Sequence, residues 1–168
     1  MANNGKSTFL LILCTAFFAV CLATGCKSAT VPPDDSIVKT FRDNRRAYTE
    51  LAQLIMTEGN SKFEVDRAGN IKYVAGNKPE VGAKTRRACQ QIMGRTFCLA
   101  VRREATVVYF VFFEDLTRDH FRRKALIYDS DNFKGPDWTS KVGDNFNRRF
   151  VPIEPAWQLE YKYEELKH

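Results

Sequence analysis

The chain has 168 residues, 44% of them hydrophobic, and sets 26 Lys and Arg against 20 Asp and Glu for a formal charge of +6. That length suits one domain with a real core. The mildly basic balance falls well short of a dedicated nucleic-acid binder, and nucleic acid is not expected as a partner.

Residues 9–22 form an uncharged apolar run behind a single formal side-chain charge, Lys6. A transmembrane helix needs about 20 apolar residues. This run has 14 before small residues take over, which is the layout of a secretory signal peptide. The residues that end it, Leu22-Ala23-Thr24-Gly25-Cys26, resemble the bacterial lipoprotein box, with Ala23 where Leu is commoner. The resemblance implies cleavage between Gly25 and Cys26, fatty acyl chains such as palmitate on the Cys26 thiol, and acylation of the new amino group. Each buried methylene contributes about 0.8 kcal/mol, so one chain anchors marginally and two anchor stably. Lys27 follows the cysteine in place of the Asp that resembles an inner-membrane retention signal, which implies outer-membrane delivery facing the periplasm. The alternative is an ordinary signal peptide cut at a nearby small residue, with Cys26 left as a plain thiol.

Removing residues 1–25 leaves 143 residues and takes only Lys6 among the charged side chains. Residues 26–35, with Pro32-Pro33, read as the lipidated cysteine and an extended tether, holding a domain of residues 36–168 within about 30 Å of the bilayer. One helix is expected next, capped by Asp34, Asp35 or Ser36 and ended by Gly59-Asn60, because Ile37, Phe41, Tyr48, Leu51, Leu54 and Ile55 recur at helical spacing. Residues 63–65 and 71–74 alternate as a short hairpin. A second helix is expected from Pro79 to Met93, with Gly94 as its stop.

The densest apolar stretches, residues 97–101 and 107–113, read as strands covered on both faces, and they form the expected centre of the sheet. Residues 123–128 add a strand. Residues 157–164 alternate cleanly, with Trp157, Leu159, Tyr161 and Tyr163 toward a core and Gln158, Glu160, Lys162 and Glu164 toward water. Between them, residues 129–150 show no period and read as a long loop, the expected place for a recognition surface around Phe133 and Trp138.

Candidate chemistry is sparse. Cys89 and Cys98 could form a disulfide in an oxidising compartment; two buried thiols are the other reading. No His or Cys pair has metal-ligand spacing, and Asp119-His120 lacks a marked nucleophile. Asp129, Asp131 and Asn132 begin like a calcium loop, but Phe133, Lys134 and Ser140 break the pattern. No cofactor, metal or catalytic residue is therefore assigned. Basic pairs recur at Arg45-Arg46, Arg86-Arg87, Arg102-Arg103, Arg122-Arg123-Lys124 and Arg148-Arg149. They read either as attraction to anionic headgroups, envelope polymers or an acidic protein, or as scattered solvated residues, the reading preferred because strand neighbours point to opposite faces.

The expected fold is α+β, an antiparallel sheet of about five to six strands with two helices packed on one face. Two helices leave part of an apolar sheet open, so the second face, around Val108, Phe110 and Phe112 or their neighbours, is expected to meet either the long loop or a partner, with Phe110, Phe112, Phe133 and Trp138 as the candidate partner surface. The expected function is a membrane-anchored, non-catalytic binding or accessory module for a protein or envelope component. An immunity-type inhibitor of a periplasm-acting toxin and an envelope enzyme are the alternatives.

Overall fold

A computed structural model describes residues 30–58, 62–72, 81–129, 139–141 and 146–166. A compact unit begins at Val31. It is α+β, with three helices and an eight-stranded antiparallel sheet among the described residues.

The expected first helix is two. Helix α1 (Asp34–Asp43) starts after Pro33 with Asp34 and Asp35 in its first turn, where negative charge suits the helix dipole, and it buries Ile37 and Phe41. Asn44 leaves helical geometry at φ −121°, and its side-chain amide donates to the Thr40 carbonyl at 3.0 Å. Helix α2 (Arg45–Met56) then restarts and buries Tyr48, Leu51, Ala52 and Ile55. A distant strand residue ties down its C-terminal end: buried Arg103 donates to Ile55 O at 2.9 Å, beside the Glu58 N–H at 3.1 Å, and to Glu58 O just past the helix at 2.6 Å.

Strands β1 (Lys62–Asp66) and β2 (Ile71–Lys72) form the expected hairpin. Its turn is closed by Asp66, which accepts from the Asn70 amide at 2.9 Å, and by Gly69 at φ +84°, a value only glycine holds without strain. Helix α3 (Ala83–Arg95) runs through Gly94, which does not stop it. The stop is Thr96, whose hydroxyl donates to Ile92 O at 2.8 Å. Residues 97–99 consequently lie outside any strand, and Phe97 and Leu99 are exposed.

The remaining strands are β3 (Ala100–Glu104), β4 (Val107–Leu116), β5 (His120–Asp129), β6 (Thr139–Lys141), β7 (Phe146–Glu154) and β8 (Trp157–Glu165). Their order is β2-β1-β3-β4-β5-β8-β7-β6. Part of the expected loop over 129–150 is therefore strand, and this accounts for the two strands beyond the expected count. The edge strands β2 and β6 are two and three residues long, which limits the unpaired backbone offered to another chain.

Pairing fixes which side chains share a face. The row Val65, Val101, Phe110, Leu126, Leu159 and Val151 crosses six strands by direct register. It joins Ile37, Phe41, Tyr48, Ile55, Cys89 and Met93 from the helices in one buried cluster. Trp157 sits at its centre, with ring centroids 4.7 Å from Phe41, 5.1 Å from Tyr128 and 5.9 Å from Phe110. Phe110 and Phe112 belong to this helix-packed core, so they form no partner surface. An all-apolar run carries no phase, and it is their neighbours Tyr109 and Val111 that point the other way, with Ala125 and Ile127, into a second, smaller cluster.

Candidate functional site

The cationic residues converge at one end of β5, β8 and β7. Register sets Arg122 beside Tyr163 and Asn147, Arg123 beside Lys162 and Arg148, and Lys124 beside Tyr161 and Arg149. Strand alternation then sorts them into two layers on opposite faces of the sheet.

On the face away from the core, Glu160 is fully buried. Its carboxylate accepts from Arg123, with the guanidinium at 2.9 and 3.1 Å, and from Arg148 Nε. Arg148 also donates to the Tyr109 hydroxyl at 3.2 Å, while the Arg123 guanidinium stacks 4.7 Å from the Tyr109 ring. Burial pushes the Tyr109 hydroxyl's pKa up, and the neighbouring Glu160 charge adds to it. The polar side of β8 was expected to be wet; its centre is instead an internal ion network. A cavity of about 160 Å³ adjoins it, walled by Val107, Tyr109, Ile127, Arg148 and Phe150.

On the helix side, the start of α1 is pinned to the sheet. Buried Lys124 donates from Nζ to the Pro32 carbonyl and lies 2.5 Å from Asp34 Oδ1. Burial works to raise the Asp34 carboxyl, but hydrogen bonds from Lys124 and Tyr161, with the charges of Lys124 and Arg149, outweigh it and hold its pKa below the ordinary carboxylate value. The same contact raises Tyr161, on which burial acts first and the hydrogen bond to Asp34 second. Beyond this pin lies a slot of about 220 Å³, walled by Val31, Phe113, Arg122, Arg149, Tyr161 and Tyr163.

The arginines at the rim of the slot do different things. Arg122 lies over the Phe113 ring at 5.6 Å and reaches Asp115 Oδ2 at 2.5 Å through one terminal nitrogen, while its Nε is buried without a hydrogen-bond partner. That bond from Arg122 is the main cause holding the Asp115 carboxyl below its ordinary pKa. Arg149 is exposed and lies 5.9 Å from the Tyr161 ring centroid. The slot thus has an aromatic floor, alkyl side-chain stems and a cationic rim, a surface suited to a ligand with an anionic head and an apolar body.

His120 stands next to the slot, stacked on Tyr163 with centroids 6.0 Å apart. Its acidic neighbour is Asp115, 3.6 Å from Nε2, and not the adjacent Asp119. Thr117 Oγ1 is 3.1 Å from Nδ1 but also accepts from the Asp119 and His120 amides, the bonding of a hydroxyl that closes the β4–β5 turn. It is not poised as a nucleophile.

Other sequence-derived candidates are dispersed. Cys89 and Cys98 are free and buried, the second of the two readings, and burial pushes each thiol up to about 12. Cys89 is on α3 and Cys98 in the connection before β3, where its Sγ donates to the Ala100 carbonyl at 3.3 Å. Gly25, Cys26, Phe133 and Trp138 lie outside the described residues. Arg102 and Arg103 do point to opposite faces, Arg102 to Glu64 and Glu114 and Arg103 to the end of α2. Neither is freely solvated.

A cavity of about 430 Å³ lies between α2 and α3 over Ala47, Leu51, Leu54, Ala88 and Ile92, and brings no set of reactive groups together. Among the described residues no three His, Cys, Asp or Glu side chains are grouped to hold a metal, and no helix is long and apolar enough to cross a membrane. No family model matches the chain, and neither a curated protein nor a solved structure matches it.

Proposed function

We propose that this protein is a lipid-anchored lipoprotein of the bacterial cell envelope, held by Cys26 in the outer membrane and facing the periplasm, where its domain acts as a non-catalytic binding or accessory module. The observation that carries the reading is the uncharged run of residues 9–22 ending in Leu22-Ala23-Thr24-Gly25-Cys26. The fold agrees with a short leash. Helix α1 begins at Asp34, eight residues after Cys26, so the domain works within about 30 Å of the acylated sulfur.

The binding half of the reading rests on the slot. It gathers Arg122 and Lys124 of β5 and Arg149 of β7 at one surface, with Tyr161 and Tyr163 of β8 between them. Growth of cells with a tagged fatty acid tests the anchor: label follows the protein and is lost in Cys26→Ser. Crosslinking in living cells, followed by identification of what is captured, tests the module. Recovery of one protein or envelope component supports it, and turnover of envelope substrate by the purified protein contradicts it.

A further inference from the structure

We infer that the groove between α2 and α3 docks an amphipathic helix of a partner protein, with an apolar stripe that enters the groove and acidic residues along the flank that meets α3. The inference goes beyond the proposed function: it uses a surface other than the slot and holds whether or not Cys26 is acylated.

The shape of the groove selects a helix. Leu51 and Ile92 close its floor, and the part-exposed Ala47 and Leu54 of α2 and Ala88 of α3 line the opening. Alanine at two of these positions leaves a hollow of about 430 Å³ where longer side chains would close it. At about 1.5 Å per residue, the wall from Ala47 to Leu54 runs about 10 Å and the wall from Lys84 to Arg95 about 16 Å, roughly two to three turns of a third helix. Both walls are helices with their backbone groups bonded internally, so they offer no open edge to an extended peptide. An occupant has to satisfy its own backbone, and a helix does so while presenting anchors at i, i+3 or i+4 and i+7.

The charge of the groove selects an acidic one. Helices α1 and α2 each neutralise surface charge at i, i+4 spacing, with Lys39 and Asp43 2.5 Å apart and Arg46 and Glu50 2.7 Å apart. Helix α3 has no acidic residue; Lys84, Arg86, Arg87 and Arg95 are all exposed, and none makes an ion pair or side-chain hydrogen bond among the described residues. Three of the four stand in its first two turns, where the helix dipole opposes positive charge, and Lys84 and Arg87 repel each other at i, i+3. That placement works against the helix itself. Lys84 and Arg95 line the groove, and Arg87 lies about 60° round the helix from Lys84, so three cations edge this wall. The nearby acids are already engaged: Glu50 by Arg46, and Glu58 by the Gly82 amide at 3.3 Å and the Thr85 hydroxyl. The open charge therefore belongs to α3, and acidic residues on that flank of the occupant complement it. A bilayer surface brings negative charge as well, but no ridge of side chains to enter a concave groove.

The test uses the whole protein purified from cells and a capped synthetic peptide of about four helical turns, with leucines at i, i+3, i+4 and i+7, glutamates along one flank and a photoreactive leucine in the stripe. Mass spectrometry is expected to find saturable crosslinks on the peptides carrying Leu54 and Ala88, in competition with the unlabelled form. The same peptide with lysine in place of glutamate is expected to bind about tenfold more weakly. Lys84→Glu combined with Arg95→Glu is expected to reverse that preference by about the same factor. Both positions are exposed and unpaired, so the fold stays intact, which the urea midpoint checks.

Equal labelling by the glutamate and lysine peptides overturns the inference without any variant, as does a preference that the double substitution leaves unchanged. Crosslinks outside α2 and α3, or no saturable labelling up to about 1 mM peptide, overturn it too. Ala88→Phe fills the groove and leaves the cations in place, and it is expected to reduce labelling about tenfold. Labelling that survives it puts the peptide on the charged surface alone and overturns docking in the groove. Vesicles of phosphatidylglycerol that displace the peptide as well as its own unlabelled form does make the cations a membrane-binding face and overturn a protein helix as the occupant.

Discussion

Replacing Glu160 with Ala puts the ion network of the outer sheet face to the test. The Glu160 carboxylate is fully buried between Arg123, whose side chain is 5% exposed, and Arg148, 31% exposed. Breaking a buried pair costs about 3–5 kcal/mol because it strands the remaining charge. Here Arg148 can regain water but Arg123 cannot, so the expected loss is near the lower end, about 3 kcal/mol. For a domain of this size that corresponds to a fall in Tm of about 10 °C. Urea unfolding is the assay, with a lower midpoint and an unchanged slope as the signature of a stability change in a fold that is otherwise the same. The double variant Glu160→Leu, Arg123→Met removes both buried charges and is expected to recover most of the loss. A midpoint for Glu160→Ala within about 0.5 kcal/mol of the parent refutes the reasoning, since it would mean that the carboxylate does not compensate Arg123.

Four further outcomes follow from the same geometry. Arg103→Met takes a donor from the Ile55 carbonyl, which keeps the Glu58 N–H, and from the Glu58 carbonyl just beyond α2, and lowers stability by about 2 kcal/mol in the same urea assay. Asp34 has a folded pKa below its unfolded value near 3.8, so the stability it contributes is complete above that value and lost as pH falls through the folded pKa; Asp34→Asn flattens this acid limb in melts recorded from pH 5 downward. Cys89 and Cys98, with thiols pushed up to about 12, stay unreactive toward a disulfide reagent at pH 8 and both react once the chain is unfolded in denaturant. Ala156, held at φ +66° in the β7–β8 turn, becomes glycine with a gain of about 1 kcal/mol in thermal melts.

Residue periodicity made the fold class readable and left three things hidden. The break at Asn44 is invisible in the spacing because Phe41 and Tyr48 stay seven residues apart and meet with centroids 6.0 Å apart, so both helices present the same side to the sheet. The phase of β4 is unreadable in a run buried on both sides, and only the structure puts Phe110 and Phe112 on the helix side and Tyr109 and Val111 on the other. Strand β7 begins in residues that show no period and contains Pro152, a residue disfavoured in a strand interior. It is accommodated where the register shifts between Pro152 and Glu154.

The slot was hidden for a different reason. Its basic pairs stand on strands separated by long stretches of chain, and only the pairing of β5, β8 and β7 brings residues 122–124, 161–163 and 147–149 side by side. Alternation sets Arg102 and Arg103 on opposite faces, and Arg123 and Lys124 divide in the same way. What it could not foretell is that the inward members would be buried and paired, because burial on the outer face depends on Tyr109, Phe150 and Glu160 meeting across three strands. Arginine served here as a helix cap and a network partner as well as a surface charge, and sequence spacing does not distinguish these uses.

The anchored location of the domain is decided most directly by the intact mass of the protein extracted from cell membranes. A chain that starts at Cys26 and carries the added mass of a diacylglyceryl group, with or without a third acyl chain, is the predicted result. A chain that retains residues 1–25, or one whose Cys26 is an unmodified thiol, contradicts it.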